Sequence, residues 1–145
     1  MKMELKIYDE KYDLTSKFCE GLMKVEKNKK IGYINEKNEE IISLEYENGN
    51  HFKNGVVQVC KNKKWGFINK EGKIVIPFEY DYVSLFCEGL LCVKKFGKFG
   101  FINMQNEIII PFEYDEATDF FYCCWVKKNG EELFIDNKNN IILRR

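Results

Sequence analysis

The chain reads as an all-β protein, a tandem array of copies of about 34 residues, each a meander of short antiparallel strands. Three observations predict this. Residues of one type recur at a fixed step along the chain, short β-branched and aromatic runs alternate with turn residues, and no window keeps a 3.6-residue apolar period over the length of a helix. The 145 residues are 45% hydrophobic and 32% charged, with 12 Phe, 8 Tyr and 2 Trp, so the chain has the apolar surface to order itself.

The first element, residues 1–11, alternates Met3, Leu5 and Ile7 with Lys2, Glu4 and Lys6, the pattern of a strand that caps the array. Copies follow at 12–45, 46–79 and 80–113, with a degenerate fourth at 114–145, the whole forming a single repeat domain. Tyr12, Tyr46, Tyr80 and Tyr114 stand 34 apart, as do Phe18, Phe52, Phe86 and Phe120. Gly21, Gly55 and Gly89 keep the same step, and so do Gly32, Gly66 and Gly100. Within a copy the first strand is Leu22–Glu26, Val56–Cys60 or Leu90–Lys94, followed by a polar turn such as Asn62-Lys63 or Asn129-Gly130. The second strand, Trp65–Asn69, ends at Glu71-Gly72, a pair that suits a tight turn, and the third is Ile74–Phe78. The stretch Tyr80–Glu88 has room for one helical turn.

Glycine in mid-strand at 32, 66 and 100 implies that a backbone or ring comes close there, and the preceding Ile31, Trp65 or Phe99 reads as a core plug. Pro77 and Pro111 cannot donate to a ladder, so the third strand is expected at an edge or in a bulge. The acids after the tyrosines, Asp13, Glu47, Asp81 and Asp115, recur as turn hydrogen-bond acceptors. Past Phe120 one residue is missing, and Leu133 replaces the glycine, as terminal copies that meet solvent often depart from internal ones. Four units are few for a wide propeller, so an open solenoid-like array is preferred over a closed barrel or propeller.

Trp65-Gly66-Phe-Ile, the downstream Ile-Pro-Phe-Glu-Tyr-Asp81 and Phe86-Cys-Glu-Gly-Leu90 resemble the WG-repeat family of bacterial proteins, over about residues 12–143. The Trp-Gly pair is Ile31-Gly32 in the first copy, Phe99-Gly100 in the third and Glu132-Leu133 in the fourth. The resemblance implies a β-rich tandem array without a catalytic set, used for interactions.

Lysine plus arginine equals aspartate plus glutamate at 23 each, which disfavours wholesale binding to nucleic acid or anionic membranes. No apolar core of a signal peptide is present, and no run approaches the roughly 20 apolar residues of a membrane span, so a soluble cytoplasmic protein is expected. There the six cysteines stay reduced and serve as small core residues; none forms a C-x-x-C pair, and neither metal nor cofactor is expected. The sole histidine, His51, has no equivalent in other copies, and no nucleophile motif or phosphate loop accompanies it, so no catalytic residue is assigned. An enzyme built on Cys87 with His51 is the least favoured reading.

The favoured reading is a protein-interaction module, such as a small inhibitor or adaptor docking onto a larger protein. Residues that break the repeat are its candidate anchors: Phe121, Tyr122 and Trp125 in the degenerate copy, and His51. The alternative is RNA or single-strand binding along a lysine edge of Lys29, Lys30, Lys63, Lys64, Lys95, Lys98, Lys127 and Lys128. An acidic edge at Glu45, Glu79 and Glu113 is expected opposite it.

Overall fold

The computed structural model of the chain describes residues 11–84, 89–118 and 124–145. The strand expected at Met3–Ile7 and the anchors Phe121 and Tyr122 lie outside these residues, as does Cys87. Four sheets of four strands follow one another in chain order. The first holds β1 (Leu14–Cys19), β2 (Leu22–Lys27), β3 (Lys30–Asn35) and β4 (Glu40–Tyr46). The second holds β5 (Asn48–Gly49), β6 (Val56–Lys61), β7 (Lys64–Asn69) and β8 (Ile74–Tyr80). The third holds β9 (Tyr82–Val83), β10 (Leu91–Lys95), β11 (Lys98–Ile102) and β12 (Ile108–Tyr114). The fourth holds β13 (Glu116–Ala117), β14 (Cys124–Lys128), β15 (Glu131–Ile135) and β16 (Ile141–Arg144). Each is an antiparallel meander with two edges, and none closes into a barrel.

Each copy therefore has four strands where its sequence suggests three. In the first sheet the extra strand is β1, six residues long; in the others it is β5, β9 or β13, two residues long, too short to show a pattern and held by its ladder to the next strand, as in Gly49 opposite Val59. Tyr82–Val83 is thus strand, in a stretch where the sequence leaves room for a helical turn.

The turn between the second and third strands carries two left-handed residues in every copy: Asn28-Lys29, Asn62-Lys63, Phe96-Gly97 and Asn129-Gly130. This is the backbone that suits the twist of a two-residue hairpin. The recurring acid caps it. Asp13 accepts from the Asn28 N–H at 2.8 Å, Glu47 from Lys63 at 2.7 Å and Asp115 from Asn129 at 2.9 Å. The next turn is capped from within: Asn35, Asn69, Asn103 and Asp136 each accept the backbone N–H groups two and four residues on.

The mid-strand glycines answer to a bulge. Ile31 pairs with Tyr46 and Tyr33 with Ile42, so the fourth strand has two more residues than its partner over this stretch; Phe99–Tyr114 and Phe101–Ile110 repeat the shift. The bulge lays backbone over the glycine, where a Cβ would stand 2.5 Å from the Ile42 oxygen at Gly32 and 2.8 Å from the Ile110 oxygen at Gly100. Pro111 sits inside this bulge on an edge strand, and Pro77 on the edge strand β8. Trp65 and Phe99 are only half-buried, unlike Ile31 at the same slot, and Phe99 packs edge-on to Tyr82 with centroids 5.9 Å apart.

The chain divides into two compact units, residues 1–78 and 79–145. In the first, Leu22, Ile31, Tyr33 and Ile42 of one sheet pack against Val57, Val59 and Ile68 of the next. Tyr12, Met23, Val25 and Ile34 form a second group on the other face of the first sheet. In the second unit, Cys92, Phe101 and Ile110 pack against Cys124, Val126, Leu133 and Ile135. One face of each leading sheet is thus covered by the opposite face of its follower.

One side-chain pair is peculiar to the first unit. Tyr33 stands where the other copies have Phe67, Phe101 and Phe134, and its hydroxyl donates to the Asn50 carbonyl at 2.6 Å. Gly49 makes the room: a Cβ there would meet that hydroxyl at 2.6 Å, and the other copies carry Val83 and Ala117 in its slot.

Candidate functional site

Three slots of the repeat form a row across each sheet. In the fourth copy they are Trp125 on β14, Phe134 on β15 and Leu143 on β16, directly opposite one another in register. Their counterparts are Cys92, Phe101 and Ile110 in the third copy and Gln58, Phe67 and Ile76 in the second, all buried. Alternation along the strands puts Leu133 and Ile135 on the side packed against the third sheet, so the Trp125 row faces the other way. Ile110 is 0% exposed and Leu143 is 56% exposed, while Trp125 and Phe134 are half-buried. The slot that is core in three copies is surface in the fourth.

Polar groups border the row. Lys127 lies opposite Glu132, and the Arg145 guanidinium reaches the same carboxylate at 3.6 Å. The Thr118 hydroxyl accepts from the Trp125 N–H at 3.2 Å, tying β13 to the strand that carries the indole. An apolar centre with a charged rim is the layout of a protein-binding patch. Of the expected anchors, Trp125 belongs to this row. Phe134 and Leu143 escape notice in the sequence because they fill ordinary repeat slots.

His51 belongs to the other unit. It is half-buried beside a cavity of about 240 Å³ with Ser16, Lys24 and Glu26 in its walls, and its Nδ1 is buried. Burial, then the charges of Lys24 and Lys17, hold the imidazole below its usual range.

The lysines do not stand apart from the acids. Lys61 pairs with Glu45 at 3.4 Å, Lys95 with Glu79 at 3.7 Å and Lys128 with Glu113 at 3.7 Å, one link at the same slots in three successive copies. Lys98 pairs with Asp115. Lys29 and Lys63 are left-handed turn residues, and Lys30 and Lys64 open the third strands, all four exposed. Among the described residues Cys19, Cys60, Cys92 and Cys124 are free thiols. Burial, with the Glu47 charge, pushes the Cys60 thiol up, away from the thiolate a nucleophile needs. Among the described residues no three His, Cys, Asp or Glu side chains converge as metal ligands.

No curated protein matches the sequence. A crystal structure of a eukaryotic initiation factor is similar in fold, with a TM-score of 0.56 over 90% of this chain at 11% identity. The chain spans 43% of that structure's length, and at this identity the likeness is one of fold alone. The pattern of the WG containing repeat matches three times in succession, at residues 31–65, 65–99 and 99–131. Each match begins on the residue before a glycine slot, at Ile31, Trp65 and Phe99, so the family's repeat and the four-stranded sheet share one period: the chain belongs to the WG containing repeat family.

Proposed function

We propose that the protein is a non-enzymatic interaction module that captures a protein partner on the outward face of its fourth sheet. One observation carries this reading: Trp125, Phe134 and Leu143 occupy slots that bury a neighbouring sheet elsewhere in the array, and here they meet solvent. A partner covering them gains about 1.5–3 kcal/mol for a side chain such as Leu143 taken fully out of water. The ion pairs that tie Lys61, Lys95, Lys98 and Lys128 to carboxylates favour this reading over nucleic-acid binding, since a paired lysine has less charge to offer a phosphate. The free thiols suit a reducing cytoplasm, where an inhibitor or adaptor of this kind would act.

The test is affinity purification from the native cell with the full chain and with Trp125→Ala and Leu143→Asp as baits. The expected result is a co-purifying protein that both variants lose while their circular dichroism stays unchanged. Retention of the same protein by both variants rejects this face.

A further inference from the structure

The fourth copy lacks one packing part that the earlier copies have. In the second and third, the residue after the bulge proline lies beside the tyrosine that closes the preceding sheet. Ring centroids are 5.9 Å apart for Tyr46 and Phe78 and 6.3 Å for Tyr80 and Phe112. Leu44 takes the same place in the group that contains Tyr12. Only glycine beneath the bulge lets the fourth strand bend this way. Leu133 fills that slot in the fourth copy, and from Leu143 onward the chain keeps plain register, Leu133 opposite Arg144 and the Arg145 N–H bonded to the Glu132 carbonyl; the one shift in this ladder lies earlier, between Phe134 and Ile135. Arg145 holds the slot of Phe112 but turns its guanidinium to Glu132.

Where the ring stands in earlier copies, the fourth has a cavity of about 330 Å³ walled by Tyr114, Leu133 and Ile141. That is the low end of the range for ligand sites, about 300–1,000 Å³. We propose that this cavity receives an aromatic side chain of a partner polypeptide, seated on Tyr114 as Phe78 is on Tyr46 and Phe112 on Tyr80. At the rim Glu113 pairs with Lys128 and Glu131 with Arg144, so the charges cancel and the site selects a neutral ring. The Tyr114 hydroxyl is held by Asn139, which fixes the ring that forms the wall. β16 is an edge strand, and an extended segment pairing along it can deliver the side chain. The cavity lies on the opposite side of the sheet from the Trp125 row and does not depend on the reading of that row.

The test uses the full chain, isotope-labelled, and follows amide NMR signals of Leu133, Asn139 and Arg144. The probe is acetyl-Ile-Pro-Phe-Glu-amide, the sequence that supplies the ring from Ile110 to Glu113 in the third copy. The expected result is saturable shifts at millimolar peptide, weakened about tenfold or more when its Phe is replaced by Ala. Ile141→Trp, at a side chain 46% exposed, should fill the cavity and abolish the shifts, whereas Trp125→Ala should leave them unchanged. The proposal is overturned by no saturable shift, by an equal response to the Ala peptide, or by equal affinity for N-acetylphenylalaninamide, which would make this a small-molecule site. The Ala-peptide comparison needs no altered protein and decides the matter should the Trp variant fail to fold.

Discussion

The four matched tyrosines show what a repeated residue does. Tyr12, Tyr46, Tyr80 and Tyr114 are each 2–4% exposed. Tyr80 donates to Asn106 Oδ1 at 2.6 Å and Tyr114 to Asn139, in both cases a left-handed turn residue of the sheet that follows the one the tyrosine closes. Burial first, then the charge of the adjacent Glu45, Glu79 or Glu113, pushes Tyr46, Tyr80 and Tyr114 up to about 12 from an ordinary value of 10.0. A pKa raised on folding means that the folded state holds the proton more tightly. The stability linked to it is whole below pH 10 and is lost as pH rises toward 12. We therefore expect alkaline unfolding in that window, with tyrosinate absorbance and loss of circular dichroism rising together. Ionisation of all the tyrosines near pH 10 with the fold intact would contradict these environments. Residue roles of this kind were legible in the sequence because recurrence names them, as with the acids that cap the hairpins. The fit of Tyr33 over Gly49 was not, since it occurs once and joins residues 16 apart on different sheets.

At the scale of the element, the glycine, the bulge and the edge proline act together. Glycine lets the fourth strand cross over β3, β7 or β11, the bulge absorbs the extra length, and proline suits a strand that need not donate outward. Gly100→Ala puts a methyl against the Ile110 carbonyl and should cost about 1–3 kcal/mol, read as a lower urea midpoint with an unchanged slope. An unchanged midpoint would mean that the bulge is soft. The turn residues and the last three strands of each sheet could be read from the sequence, but β1 and the two-residue strands at its place in the later sheets could not, because pairing and not propensity defines them. Trp65 and Phe99 read as core plugs since they share a slot with Ile31; all three stand second in their strands, yet Ile31 is buried and the two rings are half-buried, a difference that a pattern of residue types does not encode.

At the scale of the whole molecule, an identical slot changes its meaning with its place in the array. Ile42, Ile76 and Ile110 are core, and Leu143, equally apolar, is surface. Sequence alone singles out Trp125, since an indole breaks the repeat, and passes over Phe134 and Leu143, since they keep it. Which of them is covered depends on what stacks on the sheet, a property of neighbours and not of the residue. The decisive measurement is thermal unfolding of Ile110→Asp and Leu143→Asp side by side. A buried unpaired charge at Ile110 should abolish the cooperative transition, while the same change at Leu143 should leave the midpoint within the spread of surface substitutions, about 0.5 kcal/mol. Equal destabilisation by the two, or tolerance of Ile110→Asp, would contradict the assignment of core and free face.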